Sequence, residues 1–239
     1  MKVLFGVPAY KGISSIKFLD SLEGTIKLCQ ESNIDTMFHM IEGNCYIQAA
    51  RNDIVKYFMI TDCDSLFFLD DDIAWNPENV LELIRMDDEI VAGAYPLKAK
   101  VEGYPVVIHT DKDGIPNKRE DGGIFAAGLP TGFMRVNRSA IEKLIKAYPQ
   151  QRYSNYDENG ELKEDAYDLF PQGVHNGRWV GEDFAFCRLW TDIGGELIVV
   201  PDINFEHGVQ NPVKGNYHEF LLRQKGGSRE VYDRVSMVI

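Results

Sequence analysis

Three consecutive aspartates, Asp70, Asp71 and Asp72, follow the mostly apolar run Ser65–Leu69. Such a run is typical of a central strand buried on both faces, so the carboxylates stand at its carboxyl end. Adjacent carboxylates repel one another, and burial adds to that cost unless a cation joins them. Oxygen ligands on a rigid strand end suit Mn²⁺ or Mg²⁺, which keep positions open for phosphate oxygens. We therefore predict a metal site at Asp70 and Asp72, with Asp71 facing elsewhere.

A solvated β–α loop is the alternative interpretation of this triplet, because Asp is common in turns and at helix caps. The buried strand before the triplet favours a ligand site. In an open α/β sheet, ligands usually bind in the crevice beyond the carboxyl ends of the strands.

Two further groups of charged residues are candidates for the same sheet edge. Arg51 lies in a predicted helix, Ile47–Phe58, whose N-terminal end should approach that edge. Its guanidinium would pair with a phosphate or with the aspartates, and a surface charge is the alternative. Glu182 and Asp183 begin the predicted helix Glu182–Ile193, where the positive end of the helix dipole keeps a carboxylate ionised. Asp183 is therefore a candidate general base, with helix capping as the alternative.

The elements that position these residues alternate between short β-rich runs and amphipathic helical patterns, which predicts βαβ units. The predicted strands are Lys2–Val7, Thr36–Ile41, Ser65–Leu69, Ile90–Ala94, Val106–His109, Gly132–Val136 and Glu196–Val200. The predicted helices are Ile16–Glu31, Ile47–Phe58, Pro77 to about Met86 with Asn76 as N-cap, Ser139–Ala147 with Asn137 as cap, and Glu182–Ile193. Residues 150–180 are polar and aperiodic, so we expect a flexible loop there.

The chain has 239 residues without an internal repeat or a Pro/Gly linker, so we expect one α/β domain. Its predicted core is a mixed, mostly parallel central sheet flanked by helices. A net charge of -12 argues against duplex DNA and anionic membranes as partners. The four scattered cysteines form no zinc motif, and no stretch approaches the length of a membrane span. We expect a soluble cytoplasmic protein, in the host-cell cytoplasm if a virus encodes it.

Several short motifs, in their order and spacing, resemble those of GT-A glycosyltransferases, which use nucleotide-sugars, and in particular family 2-like members. Phe67–Ile73 resembles their DxD motif, and Val7–Tyr10 resembles the first strand and loop that grip the nucleotide base. Gly181–Asp183 is similar to the ED motif of inverting members. Phe205–Gly208 resembles the segment that carries a metal-binding histidine. The likeness runs from residue 7 to about residue 215.

This resemblance implies that Asp70 and Asp72 bind the ion and that His207 is a third protein ligand. It also places Asp70 or Asp71 near the ribose or the donor sugar. Lys214, seven residues after His207, would neutralise the diphosphate. A loop histidine and a solvated surface lysine are the alternatives.

For the whole chain, the resemblance implies a single GT-A, Rossmann-like domain over residues 1–239. Residues 1–100 would bind the nucleotide-sugar, and residues 101–239 would bind the acceptor. Pro8 and Tyr10 would contact the base, with Tyr10 stacking on it. Ordinary packing after the first strand is the alternative for Tyr10.

Two residues of the second half are candidates for acceptor binding. Gly132 lies in Gly128–Met134, whose glycines allow close backbone approach, although an ordinary turn explains them equally well. Trp179 would form an apolar wall against a sugar ring, although core packing is the commoner use of Trp.

The predicted function is metal-dependent transfer of a sugar from a UDP- or GDP-sugar to a hydroxyl group. The acceptor is a glycan, a protein or a modified base. Asp183 as base implies inversion of the anomeric configuration, and a retaining outcome stays open.

Three rival functions fit the sequence less well. A haloacid dehalogenase phosphatase needs Thr or Val where this chain has Ala74. A sugar-1-phosphate nucleotidyltransferase needs a Gly/Arg-rich loop in place of Pro8–Gly12. A non-catalytic module that binds nucleotide or glycan would not need carboxylates at Asp70, Asp72 and Asp183.

Overall fold

A computed structural model describes residues 1–12, 15–156, 159–208 and 212–224. The helices in these ranges are α1 (Ile16–Glu31), α2 (Ile47–Ile60), α3 (Pro77–Arg85), α4 (Arg138–Ala147), α5 (Glu182–Asp192) and α6 (Tyr217–Gln224). The strands are β1 (Lys2–Ala9), β2 (Asp35–Glu42), β3 (Ser65–Leu69), β4 (Ile73–Ala74), β5 (Ile90–Gly93), β6 (Val107–Ile108), β7 (Ile124–Gly128), β8 (Phe133–Asn137), β9 (Arg152–Tyr156), β10 (Leu162–Tyr167), β11 (Gly173–His175), β12 (Arg178–Val180), β13 (Leu197–Val200), β14 (Asn204–His207) and β15 (Val213–Asn216). None of the helices in the described ranges is both long enough and apolar enough to cross a membrane.

The central sheet has eight strands in the order β2-β1-β3-β8-β5-β13-β7-β6. Strands β7 and β8 run against the other six, so the sheet is mixed and mostly parallel in strand direction. The predicted α/β class is confirmed. Strand β8, from the second half of the chain, pairs on both sides with strands of the first half.

Two apolar clusters cover the two faces of this sheet. Helices α1 and α3 pack on one face, and α2, α4, α5 and α6 pack on the other. All five residues of β3 are buried because this strand lies between the two clusters. Phe67 packs in the cluster with α1 and α3, and Phe68 packs in the cluster on the opposite face. Burying each phenyl ring contributes about 2–3 kcal/mol. The residues that directly follow β3 are therefore anchored on a rigid strand.

The predicted caps of α3 and α4 differ in outcome. Asn76 accepts a hydrogen bond from the backbone N–H of Glu78, and Pro77 begins α3, as predicted. Asn137 does precede α4, but its side chain makes no capping bond. The side-chain carbonyl of Asn137 instead accepts from Arg135, a buried guanidinium that needs acceptors.

Residues 150–180 contain regular structure that the sequence pattern did not reveal. Strands β9 and β10 form one antiparallel hairpin, and β11 and β12 form another. No residue of β11 or β12 is buried, so this hairpin lacks the apolar face that produces an alternating pattern. Flexibility of this segment stays a prediction, as does the division of function between residues 1–100 and 101–239.

A small sheet in the order β15-β14-β4 was also not predicted. Strand β4 directly follows the aspartates, and its Ile73 pairs with His207 of β14. Because side chains alternate along a strand, Glu206 and His207 face opposite sides of this sheet. The pairing brings a histidine from the second half of the chain next to the Asp triplet.

Candidate functional site

A cavity of about 350 Å³ lies at the carboxyl edge of the central sheet. The residues that follow β1, β3 and β5 all reach it, as expected where parallel strands end together. The sequence-predicted residues that line it are Pro8, Tyr10, Arg51, Asp70, Asp71, Asp72, Glu182, Asp183 and His207. Its volume falls within the range of small-molecule sites.

Three sequence-predicted residues are placed elsewhere. The ammonium of Lys214 pairs with Glu206, 2.8 Å away, and lines a separate cavity on the other face of the small sheet. Trp179 lies on β12 with 60% of its surface exposed, and it does not line the cavity. Gly132 packs against the carboxylate of Asp70 and is not among the residues that line the cavity. The structure therefore brings neither Lys214 nor Trp179 to the aspartates.

Arg51 is the buried centre of the site, with only 3% of its side chain exposed. Its Nη1 donates to Oε1 of Glu182 at 2.9 Å and also to Asp183. Its Nη2 donates to Oδ1 of Asp70 at 3.3 Å. Burial lowers the pKa of Arg51, but the nearby carboxylates outweigh burial and raise it above the ordinary value. Arg51 is therefore a permanent cation that joins the end of β3 to the start of α5, not a surface charge.

Asp183 is held by two donors at the start of α5. Arg51 and the buried hydroxyl of Thr131 both donate to its Oδ1. Burial raises the pKa of Asp183 to about 6; Arg51 opposes this shift and Glu182 adds to it. We expected the helix start to keep this carboxylate ionised, but burial works against ionisation and shifts the pKa upward. Asp183 is still mostly ionised at pH 7 and can accept a proton.

Asp70 is fixed by contacts to both of its oxygens. Arg51 contacts Oδ1, and the hydroxyl of Tyr95 donates to Oδ2 at 3.1 Å. Burial raises the pKa of Tyr95 well above its ordinary value, so this hydroxyl stays protonated and remains a donor. The backbone N–H of Asp70 also donates to the carbonyl of Gly132 at 2.9 Å. Asp70 is thus oriented by the protein rather than by solvent.

Gly132 is required by this arrangement because a side chain there has no room. A Cβ atom at Gly132 would lie 2.1 Å from Oδ2 of Asp70 and 2.5 Å from the Tyr95 hydroxyl. We expect Gly132→Ala to displace both groups and to lower the free energy of unfolding by about 1–3 kcal/mol. Urea unfolding measures the effect. Wild-type stability and wild-type nucleotide binding in Gly132→Ala would contradict this packing role.

Asp72 and His207 form the second part of the site. His207 Nδ1 lies 2.6 Å from the carbonyl oxygen of Pro96, and His207 Nε2 lies 3.4 Å from Oδ1 of Asp72. The ammonium of Lys98 contacts Oδ2 of Asp72. Burial raises the pKa of Asp72, but hydrogen bonds from His207 and Lys98 outweigh it and lower the pKa to about 2. Asp72 is therefore ionised at any physiological pH.

The Asp72–His207 pair fits a divalent cation. A carbonyl oxygen only accepts, so Nδ1 of His207 carries the proton that is donated to Pro96. Nε2 then faces a carboxylate oxygen, and either a proton on Nε2 or a cation between the two atoms stabilises this contact. A backbone carbonyl that fixes Nδ1–H is the usual support for a metal-binding histidine.

Asp70 does not complete a three-residue metal cluster in this arrangement. Within the described part of the chain, no three His, Cys, Asp or Glu side chains converge as a ready-made metal site. The carboxylate of Asp70 is engaged by Arg51 and Tyr95 instead. A divalent cation needs only one or two protein ligands when water and substrate phosphates fill its other positions. Asp72 supplies the carboxylate, and the nitrogen ligand of His207 suits Mn²⁺ better than Mg²⁺, which prefers oxygen. That Asp70 binds the metal together with Asp72 and His207 stays a prediction.

Sequence reasoning missed several residues that the structure places at the cavity. Tyr95 and Lys98 follow β5, and Asn44 and Cys45 follow β2. The rule that located the aspartates, the shared carboxyl edge of parallel strands, also applies to these two strands and could have identified them. Thr131 lies within Gly128–Met134, which the sequence indicated only for its glycines, and no local pattern predicted its contact with Asp183, 52 residues away.

Comparisons with known proteins give only partial likenesses. No family model matches the sequence, and no curated protein matches it. The crystal structure of GalNAc-T7 with UDP, GalNAc and Mn²⁺ is similar with a TM-score of 0.49 and 12% identity, over 88% of this chain and 44% of that chain. A glycosyltransferase involved in the glycosylation of the major capsid of PBCV-1 has a TM-score of 0.35 and 12% identity, over 63% of this chain and 68% of that one. The inositol-1-phosphate CTP transferase from T. maritima has a TM-score of 0.42 and 8% identity, over 99% and 95%. This chain spans less than half the length of the first structure, and matches of this kind do not assign it to a family.

Proposed function

We propose that this chain is a metal-dependent glycosyltransferase of the GT-A type, which moves a sugar from a UDP- or GDP-sugar to an acceptor hydroxyl. The observation that carries the proposal is the pairing of two chemically different groups in one cavity. Asp72 and His207 form a pair suited to a divalent cation, and Asp183 is a partly buried carboxylate suited to accept a proton. Glycosyl transfer needs both functions, one for the departing diphosphate and one for the attacking hydroxyl.

Charge supports a cation in this cavity. Five carboxylates line it, against the basic residues Arg51 and Lys98 among the described residues. A diphosphate would be repelled by that excess of negative charge. When bound at Asp72 and His207, Mn²⁺ or Mg²⁺ supplies the positive charge that stabilises the leaving diphosphate.

The donor would be held by the residues around β1 and β3. Tyr10 lines the cavity with 58% of its surface exposed, so its ring is available to stack on a nucleobase beside Pro8. Asp70, fixed by Arg51 and Tyr95, presents a preset acceptor for a ribose or sugar hydroxyl. Asp71 lines the same cavity and has the same candidate role.

Asp183 would act as the general base. Arg51 and Thr131 both contact Oδ1, so we assign Oδ2 as the atom that takes the proton from the acceptor hydroxyl. A pKa of about 6 suits this role, because the group is ionised at pH 7 yet basic enough to receive a proton. A single base without a nucleophile predicts inversion of the anomeric configuration. Glu182 supports the base through their shared partner Arg51.

The acceptor is a glycan, a protein or a modified base. Trp179 offers an exposed ring to such an acceptor from outside the cavity. Gly132 would act on the acceptor only through Asp70, which packs against it.

Metal dependence is the direct test of this function. With Mn²⁺ and a panel of UDP- and GDP-sugars, we expect slow release of nucleoside diphosphate that EDTA abolishes. Asp72→Asn is expected to weaken Mn²⁺ binding by at least about tenfold, because it removes a charged ligand. Titration calorimetry measures the affinity, and Asp113→Asn is the control, since it makes the same change at an exposed loop position.

Several outcomes would reject the proposal. Undiminished Mn²⁺ binding in Asp72→Asn would show that Asp72 is not a metal ligand. Binding of the nucleotide without any turnover would indicate a binding module, and pyrophosphate exchange would indicate a nucleotidyltransferase.

A further inference from the structure

We propose that Lys98 is an exchangeable cation: it neutralises Asp72 before a metal binds and then moves to the diphosphate of the donor. This inference rests on the proposed function and extends it to a residue that the sequence did not single out. It replaces Lys214, which pairs with Glu206 in a different cavity, as the lysine that meets the diphosphate.

The contacts of Asp72 motivate the first half of the proposal. Its two oxygens have different partners, His207 Nε2 at Oδ1 and the Lys98 ammonium at Oδ2. The ammonium therefore holds a position that a cation bound to this carboxylate would share. A divalent ion placed on Asp72 would repel an ammonium on the same carboxylate, since like charges at contact distance are strongly unfavourable. Metal binding and the Lys98–Asp72 ion pair therefore compete.

Lys98 has the freedom to leave, and the other lining cation does not. The Lys98 side chain is 48% exposed, whereas that of Arg51 is 3% exposed and bound to three carboxylates. The backbone next to Lys98 is fixed by the hydrogen bond from Leu97 N–H to the carbonyl of Gly103, at 2.8 Å. A flexible four-carbon stem on a fixed backbone lets the ammonium move within the cavity while the loop stays in place.

The second partner that we propose for the Lys98 ammonium, the diphosphate, would be bound in the same cavity. A diphosphate bound to a metal at Asp72 and His207 would lie within reach of the Lys98 ammonium, because that ammonium already reaches Asp72 in the same cavity. Arg51 is committed to Asp70, Glu182 and Asp183, so it has little capacity for phosphate oxygens. An ammonium with three donors binds phosphate well as a point charge. Lys98 is therefore a donor-binding residue whose partner changes with the metal.

This exchange predicts effects of opposite sign in one variant. We expect Lys98→Gln to tighten Mn²⁺ binding in the absence of nucleotide by about threefold, because a competing ion pair is lost. We expect the same variant to weaken UDP or GDP binding in the presence of saturating Mn²⁺ by about tenfold, because a charge-assisted hydrogen bond is lost. Electron paramagnetic resonance of free Mn²⁺ measures the first quantity, and titration calorimetry measures the second.

Two variants control for charge and for structure. Lys100→Gln removes the same charge from the same exposed loop, but Lys100 does not line the cavity, so both affinities should stay at wild-type values. Lys98→Arg keeps a cation and should restore much of the nucleotide affinity. Thermal unfolding of all variants shows whether Lys98 merely supports the loop.

Each outcome decides a specific point. Tighter Mn²⁺ binding together with weaker nucleotide binding supports the exchange. Unchanged or weaker Mn²⁺ binding in Lys98→Gln overturns it while leaving the metal site at Asp72 intact. If wild type binds no Mn²⁺, or binds it as well when Asp72 is changed to Asn, the exchange and the proposed function both fail.

Discussion

Replacing Asp183 with Asn is expected to lower kcat by about 10²- to 10⁴-fold, which is the usual contribution of a general base. An amide has nearly the same shape as the carboxylate, and its oxygen still accepts from Arg51 and from Thr131. The amide cannot accept a proton from the acceptor hydroxyl. Steady-state kinetics with a donor identified from the nucleotide-sugar panel measure the loss.

Donor binding separates a chemical role of Asp183 from a structural one. We expect Mn²⁺ and nucleoside diphosphate affinities of Asp183→Asn to remain within a few-fold of wild type, because the metal pair Asp72 and His207 is untouched. Glu182→Gln is the matched control, since Glu182 contacts the same guanidinium from the adjacent position. An activity loss in Glu182→Gln as large as that in Asp183→Asn would indicate that Glu182 is the base or that both carboxylates share this role.

The pH dependence of activity and of stability should have opposite signs. The pKa of Asp183 is about 6, so kcat should rise with pH to a plateau above that value. For stability, the native state binds this proton more tightly than the unfolded state, whose pKa is near the ordinary value of 3.8. The stabilising contribution is therefore complete below about pH 3.8 and is lost as pH rises through about 6. Urea unfolding at several pH values measures this component, which Asp183→Asn should remove. If the free energy of unfolding changed with pH equally in wild type and Asp183→Asn, the raised pKa of Asp183 would be contradicted.

Replacing Arg51 with Met is expected to have the largest effect on stability, a loss of about 3 kcal/mol in the free energy of unfolding. The substitution leaves Asp70, Glu182 and Asp183 close together without their shared cation. These side chains are about a fifth exposed, which places the expected loss at the low end of the range for buried charge pairs. Denaturant unfolding near pH 7.5 measures it.

Two comparisons make the Arg51 result specific. Arg85→Met removes an exposed arginine at the end of α3 and should change stability by less than about 0.5 kcal/mol. The cost of Arg51→Met should also shrink as pH falls, because unpaired carboxylates have raised pKa values and become neutral by protonation. Arg51→Lys keeps one charge but loses the fork that reaches several carboxylates, so it should lie between wild type and Arg51→Met. A loss in Arg51→Met no larger than in Arg85→Met would show that Arg51 is not the organising charge of this site.

The sequence was most informative where local patterns are strong. Helix α1 and strand β3 have the predicted bounds, because the helical stripe of α1 and the apolar run of β3 each satisfy one simple burial pattern. The aspartates could be placed at the carboxyl edge for the same reason: their position follows from the end of a buried strand. Residues 150–180 gave no such pattern, and their hairpins were missed.

The roles within the cavity depend on contacts between distant parts of the chain. Arg51 meets Glu182 across 131 positions, and His207 reaches Asp72 because β14 pairs with β4. Local sequence patterns do not specify such pairings, which are set by how helices and strands pack and by the register of the small sheet. The same register turns Glu206, with its partner Lys214, to the opposite face, so Lys98 is the lysine at the aspartates.

The sequence by itself determined the α/β class, the buried strand and the carboxylates at its end, because burial and alternation act over a few neighbouring residues. Only the tertiary structure decided which cation each carboxylate meets. Charge pairing acts through space, and distances in space are fixed by the packing of the whole domain.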